Sequence, residues 1–255
     1  MKLSLNQLNM HLIRTIALFC LGLWCMALSA QAEDLYTENF ESYNLGTLQS
    51  QGGWAGAAAA GVVTGFGSDT TKVVGNATDT STPVPTNKIT LSWGANTKGS
   101  FSFDTYYEGA TNAGYAGIGK GPANCLGFYL STATISFRSG PVSGAQTAMV
   151  LANGASTVAT AGKWYNVTAN FTLTNNTITD VWLTNLTDGG AAVQLYFGTG
   201  TNTYVYTTDA GDESTWNTAV MRLPKAVTNG GTVRQIDNIQ VSGRGAKKLS
   251  LVVLH

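Results

Sequence analysis

Lys163-Trp164-Tyr165-Asn166-Val167-Thr168-Ala169-Asn170-Phe171-Thr172-Leu173 decides the fold class, because its apolar residues recur at every second position. Tyr165, Val167, Ala169, Phe171 and Leu173 fall on one face, and Asn166, Thr168, Asn170 and Thr172 on the other. That alternation is the mark of a strand buried on one side. Asn175-Asn176 then reads as a turn, and residues 178–186 run back to close a hairpin. Residues 100–104 alternate likewise, and strand-like runs recur at 35–40, 88–93, 125–130, 133–138, 146–151, 192–197, 218–223 and 233–241. Gly-containing turns separate most of them, and nothing after residue 33 sustains the helical apolar repeat. Short strands without helices must bury their apolar faces against one another. The pattern therefore predicts one all-β domain, a two-sheet antiparallel sandwich. The Gly-rich stretches 52–67 and 109–121 read as long loops.

The chain opens differently. Lys2, His11 and Arg14 give a weakly basic start, residues 15–28 are mostly apolar, and Ala30-Gln31-Ala32 precedes the acidic Glu33-Asp34. A basic end, a short apolar core and small residues at the cut describe a secretory signal peptide over residues 1–32, cleaved after Ala32. The core falls short of the ~20 apolar residues a spanning helix needs, so no membrane span is expected after cleavage. Cys20 and Cys25 follow Leu-Phe and Leu-Trp, not the small residues of a lipoprotein cut. The expectation is a secreted or cell-surface protein, with its domain at 33–243 and a short, disordered tail at 244–255.

Composition narrows the function. Removing Lys2 and Arg14 from the 14 basic residues leaves 12 against 14 acidic ones, which offers no phosphate-neutralising patch and argues against nucleic acid as a partner. Only 11% of the chain is charged, so Thr, Ser, Asn and Gly must supply the surface polarity. Cys125 is the one thiol beyond the leader, and in its strand-like run it reads as a small buried hydrophobe.

Three stretches carry a resemblance. Glu38-Asn39-Phe40-Glu41-Ser42-Tyr43-Asn44-Leu45-Gly46-Thr47-Leu48 with Gln51-Gly52-Gly53-Trp54 resembles the opening of secreted bacterial concanavalin A-like, laminin-G-like jelly rolls. Ile236-Asp237-Asn238-Ile239-Gln240-Val241 is similar to their closing strand, and Gly162-Lys163-Trp164-Tyr165-Asn166-Val167 to their mid-domain Trp-Tyr strand. The resemblance implies a concanavalin A-like jelly-roll sandwich of lectin and glucanase type, with first and last strands side by side. It also implies a structural calcium site at which Glu41, near the start, meets Asp237 of the closing strand. The sorting signal that ends many such proteins is reduced here to Lys247-Lys248 and Leu251-Val252-Val253-Leu254.

Histidine constrains the chemistry. His11 leaves with the leader and His255 is the last residue, so no imidazole remains in the body of the domain as general base, triad member or zinc ligand. Glycoside hydrolysis needs only two carboxylates ~5–10 Å apart. Asp104 and Glu108 are four apart and reach into a loop, while Glu38 and Glu41 face opposite ways on a regular strand. Asp209, Asp212 and Glu213 cluster in a Gly-containing loop. These sets read as solvated turns or ion ligands, and no catalytic residue is expected. Polysaccharide or glycan binding needs aromatic faces beside polar neighbours. Trp164 and Trp182 share their strand faces with such neighbours and are the candidate contacts, although a Trp in a sandwich more often packs in the core.

Overall fold

The computed structural model describes residues 32–56, 60–65, 70–76, 84–94, 96–109, 114–140, 146–197, 203–205, 216–223 and 235–245. The regular elements among them are all strands. The first half holds β1 (Glu33–Glu38), β2 (Gly46–Thr47), β3 (Trp54–Ala55), β4 (Ala60–Thr64), β5 (Lys72–Asn76), β6 (Thr86–Lys88), β7 (Asn96–Tyr107) and β8 (Tyr115–Gly121). The second holds β9 (Asn124–Ser131), β10 (Thr134–Gly140), β11 (Thr147–Val150), β12 (Lys163–Thr172), β13 (Thr177–Asn185), β14 (Val193–Phe197), β15 (Tyr204–Val205), β16 (Thr218–Arg222) and β17 (Gln235–Gly245). No helix among the described residues is long and apolar enough to cross a membrane.

Every pairing is antiparallel, and the pairings sort into two layers. In the first sheet β13, β12, β7 and β17 lie in that order. β1 and β5 share the far side of β17, with β4 and β2 beyond β5. The second sheet runs β3-β6-β16-β8-β9-β10-β11. At one edge β11 also pairs β14, opposing Met149 to Phe197, and this joins the layers. The predicted all-β, two-sheet antiparallel sandwich is what the chain forms.

Alternation explains why the layers close. Phe101 and Phe103 of β7 and Tyr165, Val167, Ala169 and Phe171 of β12 all point inward. They share one buried cluster with Ile118 of β8 and Leu126 and Phe128 of β9 from the opposite layer. Trp93, Phe171 and Trp216 meet edge-to-face with centroids 5.7–6.2 Å apart, a geometry that adds to plain area burial. The β12–β13 hairpin forms where the sequence places it, with Asn176 at φ 52° in the turn. Asn tolerates that left-handed conformation better than other side chains. β1 lies against β17, with Glu38 opposite Ile239.

Four local expectations change. Residues 109–121 do not form a long loop throughout, because β8 occupies Tyr115–Gly121. Its glycines carry no hydropathy signal, yet close approach requires Gly117 and Gly119: a Cβ on Gly119 would lie 2.3 Å from the Asn124 carbonyl oxygen. Likewise 52–67 contains β3 and the buried β4. Conversely, only Thr86–Lys88 pairs at the expected 88–93 strand. Ile89, Leu91 and Trp93 still bury, so their alternation reports an apolar plug without a ladder. Finally, β17 runs two residues past the expected domain end, to Gly245.

Candidate functional site

The four central strands of the first sheet turn their other face outward, and their register arranges it in polar rows. One row is Asp237, Asp104, Asn166 and Thr184 across β17, β7, β12 and β13. The next is Gln240, Ser102, Thr168 and Trp182, extended by Gln194 of β14. A third is Asp34, Ser242, Ser100, Asn170 and Asp180. These amides, hydroxyls and carboxylates alternate with the core residues named above, so the polarity of this face follows from the period that builds the core.

Hydrogen bonds fix the rows. Asp180 Oδ1 accepts from Asn170 Nδ2 at 2.5 Å and from the Trp182 indole Nε1 at 2.6 Å, while its Oδ2 accepts from Thr179 Oγ1 at 3.1 Å. The half-buried Trp182 ring is therefore held in one orientation on the outer face. Asp104 Oδ1 accepts from Asn166 Nδ2 at 2.7 Å and Oδ2 from Asn238 Nδ2 at 2.8 Å. Thr168 Oγ1 donates to Asn166 Oδ1 at 2.7 Å. At one end of the face lies a pocket of about 290 Å³ whose walls include Lys98, Ser100, Asn170, Asp180 and Arg244.

The two candidate tryptophans separate here. Trp164 is only 4% exposed, in a satellite cluster with Tyr106 and Val73, its ring 5.6 Å from that of Tyr106. Its faces are spent on packing, whereas Trp182 keeps part of its surface open. The sequence pattern around the two is alike. What differs is the neighbour across the ladder: Tyr106 for Trp164, Ser102 one strand beyond Thr168 for Trp182.

Glu41 and Asp237, the two candidate metal ligands, lie in the loop after β1 and on β17. Glu41 Oε1 accepts from the Lys72 backbone N–H at 2.7 Å, and the Lys72 ammonium donates to the Glu41 and Tyr43 carbonyl oxygens, each at 2.8 Å. Lys72 thus ties its own strand to the Glu41–Tyr43 loop. Asp237 is 3% exposed and sits directly opposite Asp104. No group of three or more His, Cys, Asp or Glu side chains suited to a metal occurs among the described residues.

Glu38 ties together the chain that follows β1. Glu38 accepts from the Phe40 N–H at 3.0 Å, the Trp54 indole at 3.3 Å and the Tyr43 hydroxyl. Burial, with Glu38 beside it, raises the Tyr43 pKa well above the usual phenol range. Asp209, Asp212 and Glu213 lie outside the described residues. The Asp104–Asp237 juxtaposition was beyond sequence spacing, since only strand register brings together groups so far apart in the chain.

On the second sheet's outer face, Tyr115, Cys125, Tyr129 and Val220 form a small buried cluster. The Cys125 sulfur lies 3.1 Å from the Tyr115 hydroxyl, and burial raises the pKa of that thiol.

No protein-family model matches the sequence, and no curated protein matches it. Solved structures give distant likenesses. The chain is similar to arcelin-5, a lectin-like defense protein from Phaseolus vulgaris, at 13% identity over 85% of this chain and 100% of that one, with TM-score 0.46. It is similar to lectin II from Ulex europaeus at 10% identity over 84% of this chain and 100% of that one, with TM-score 0.48. A GH131 beta-glucanase catalytic domain from Podospora anserina matches at 10% identity over 80% and 85%, with TM-score 0.42.

Proposed function

We propose that this chain is an exported, non-catalytic β-sandwich that binds glycan on the outer face of its first sheet, as a cell-surface or extracellular matrix component. The observation that carries the proposal is Trp182, a half-buried indole pinned by Asp180 among Thr168, Asn170 and Gln194. Sugar rings present an apolar C–H face and a rim of hydroxyls. A fixed aromatic surface flanked by amide and hydroxyl groups complements both.

The non-catalytic part rests on how the carboxylates are used. Both oxygens of Asp104 and both of Asp180 already accept protein hydrogen bonds. Asp237 is almost fully buried, out of reach of a polymer. A general acid or base must touch the proton it moves, and these groups hold the face in shape instead.

A glycan array probed with the protein exported under its own leader tests the proposal. Binding that the Trp182→Ala variant loses while its melting temperature holds is the expected result. An array without positive spots would leave a purely structural surface protein. Release of reducing sugar that Asp104→Asn abolishes would replace binding with hydrolysis.

A further inference from the structure

We infer that the outer face of the first sheet selects an extended, uncharged polysaccharide, laid across the strands along one row of side chains, and discriminates against acidic polymers. This rests on the glycan reading above and deepens it by naming the ligand class.

The first observation is a row that crosses six strands. Register places Thr37, Gln240, Ser102, Thr168, Trp182 and Gln194 side by side on β1, β17, β7, β12, β13 and β14. Each step is the spacing of paired strands, so the six residues span about 24 Å. That step is close to the length of one pyranose unit in an extended chain. A polymer lying along the row therefore meets about one side chain per sugar. Thr37 is exposed and the other five are half-buried, so every member presents some surface.

The second observation is that the row keeps hydrogen-bonding capacity. Gln240 Nε2 donates to Asp34 at 2.7 Å, which leaves the Gln240 side-chain carbonyl as an acceptor. Gln194 Oε1 accepts from the Tyr196 hydroxyl at 3.4 Å. The Gln194 amide nitrogen and the Ser102 hydroxyl have no side-chain partner among the described residues. Hydroxyls and amides offer both donors and acceptors, as the hydroxyls of a neutral sugar require.

The third observation is the placement of charge. All six members of the row are uncharged, while Asp104 stands in the row on one side and Asp34 and Asp180 in the row on the other. Residues two apart on a strand lie about 7 Å from one another, inside the screening length of about 8 Å at physiological ionic strength. The donors to these carboxylates are amides, hydroxyls and an indole, which leave the negative charge in place. Lys98 and Arg244 pair four residues along β7 and β17 from Ser102 and Gln240. That is about 14 Å from the central row, beyond the screening length. A polyanion on the row would thus meet carboxylates on both sides, and a neutral chain meets no such repulsion.

Affinity electrophoresis of the exported protein tests this. The gels contain arabinoxylan, glucomannan or hydroxyethylcellulose as extended neutral polymers, soluble starch as a coiled one, or polygalacturonate as a polyanion. The expected result is retardation by at least one extended neutral polymer, unrelieved by ~0.5 M NaCl, and none by polygalacturonate. Titration calorimetry with oligosaccharides of the retarding polymer should show affinity rising from the disaccharide to the pentasaccharide. The Ser102→Ala/Gln240→Ala variant, which leaves Trp182 and Asp180 in place, should bind the pentasaccharide roughly tenfold more weakly and the disaccharide like the wild type. If that pair melts early, Ser102→Ala alone reads the same split. Polygalacturonate retarding as strongly as the neutral polymers, starch alone retarding, or the variants binding the pentasaccharide like the wild type would overturn this inference while leaving Trp182-dependent glycan binding intact. Retardation by none of the polymers would overturn both.

Discussion

The outer faces of the two sheets are built by the same alternation and used in opposite ways. On the first sheet, Ser100, Ser102 and Asp104 of β7 and Asn166, Thr168 and Asn170 of β12 stand in open polar rows. On the second, Gly117 and Gly119 of β8 face Gly127 and Cys125 of β9, and the Tyr115 ring lies across the glycines with its hydroxyl against the cysteine. One face leaves its hydrogen-bonding groups and Trp182 partly exposed. The other surrenders side-chain volume so that Tyr115 and Cys125 can be buried. Period-two patterning therefore says where a sheet faces outward, and not whether that outward face remains accessible.

Substitution tests this contrast from the strongest effect downward. Gly119→Val should hurt most, because even its first carbon would meet Asn124 O at 2.3 Å and Cys125 Cα at 2.6 Å. A loss of ~3 kcal/mol or more in denaturant unfolding, or failure to fold, is expected at so tight a backbone contact. A valine there that leaves the unfolding midpoint unchanged would show the second face to be open after all.

Thr168→Ala, at the centre of the first face, should by contrast move stability by only ~0.5–1 kcal/mol, the worth of its one hydrogen bond to Asn166. Cys125 should resist Ellman's reagent in the native protein and react once unfolded, since burial keeps its thiol protonated. Rapid native labelling would place it at an open surface.

The smallest effect belongs to the exposed Lys163–Asp188 pair. The lysine beside it lowers the Asp188 pKa below its ordinary 3.8. The folded value is depressed, so the contribution is present above pH 4 or so and fades as acid carries the solution through the folded pKa. Asp188→Asn should remove that slight acid dependence and little else in a melting series across pH. Calcium or EDTA should leave the melting temperature unchanged, because Lys72 holds the Glu41 loop carbonyls. A calcium-dependent rise would support Glu41 and Asp237 in the role that the resemblance implies for them.

The fold was legible where side chains carry hydropathy. β12, β13 and the centre of β7 declare their faces residue by residue, and β17 was visible in Ile236, Ile239 and Val241. β8 was not, because glycine is silent on burial and its requirement here comes from Asn124 and Leu126 backbone on the neighbouring strand. The site was half legible. Trp182 and Trp164 have similar surroundings in sequence, and only the ladder reveals that Tyr106 closes over one of them. Lys98 opposite Arg244 and Asp104 opposite Asp237 depend on the register of β7 with β17, a long-range pairing that no local spacing encodes.

Two-dimensional NMR of the protein, titrated with whichever polysaccharide the array selects, tests the central claim most directly. The account requires the Trp182 indole Nε1–H and the side-chain amides of Asn166 and Asn170 to shift together, saturating with the ligand, while Tyr129 and Cys125 stay still. A saturating titration that moves β8 to β10 and leaves Trp182 untouched would contradict it.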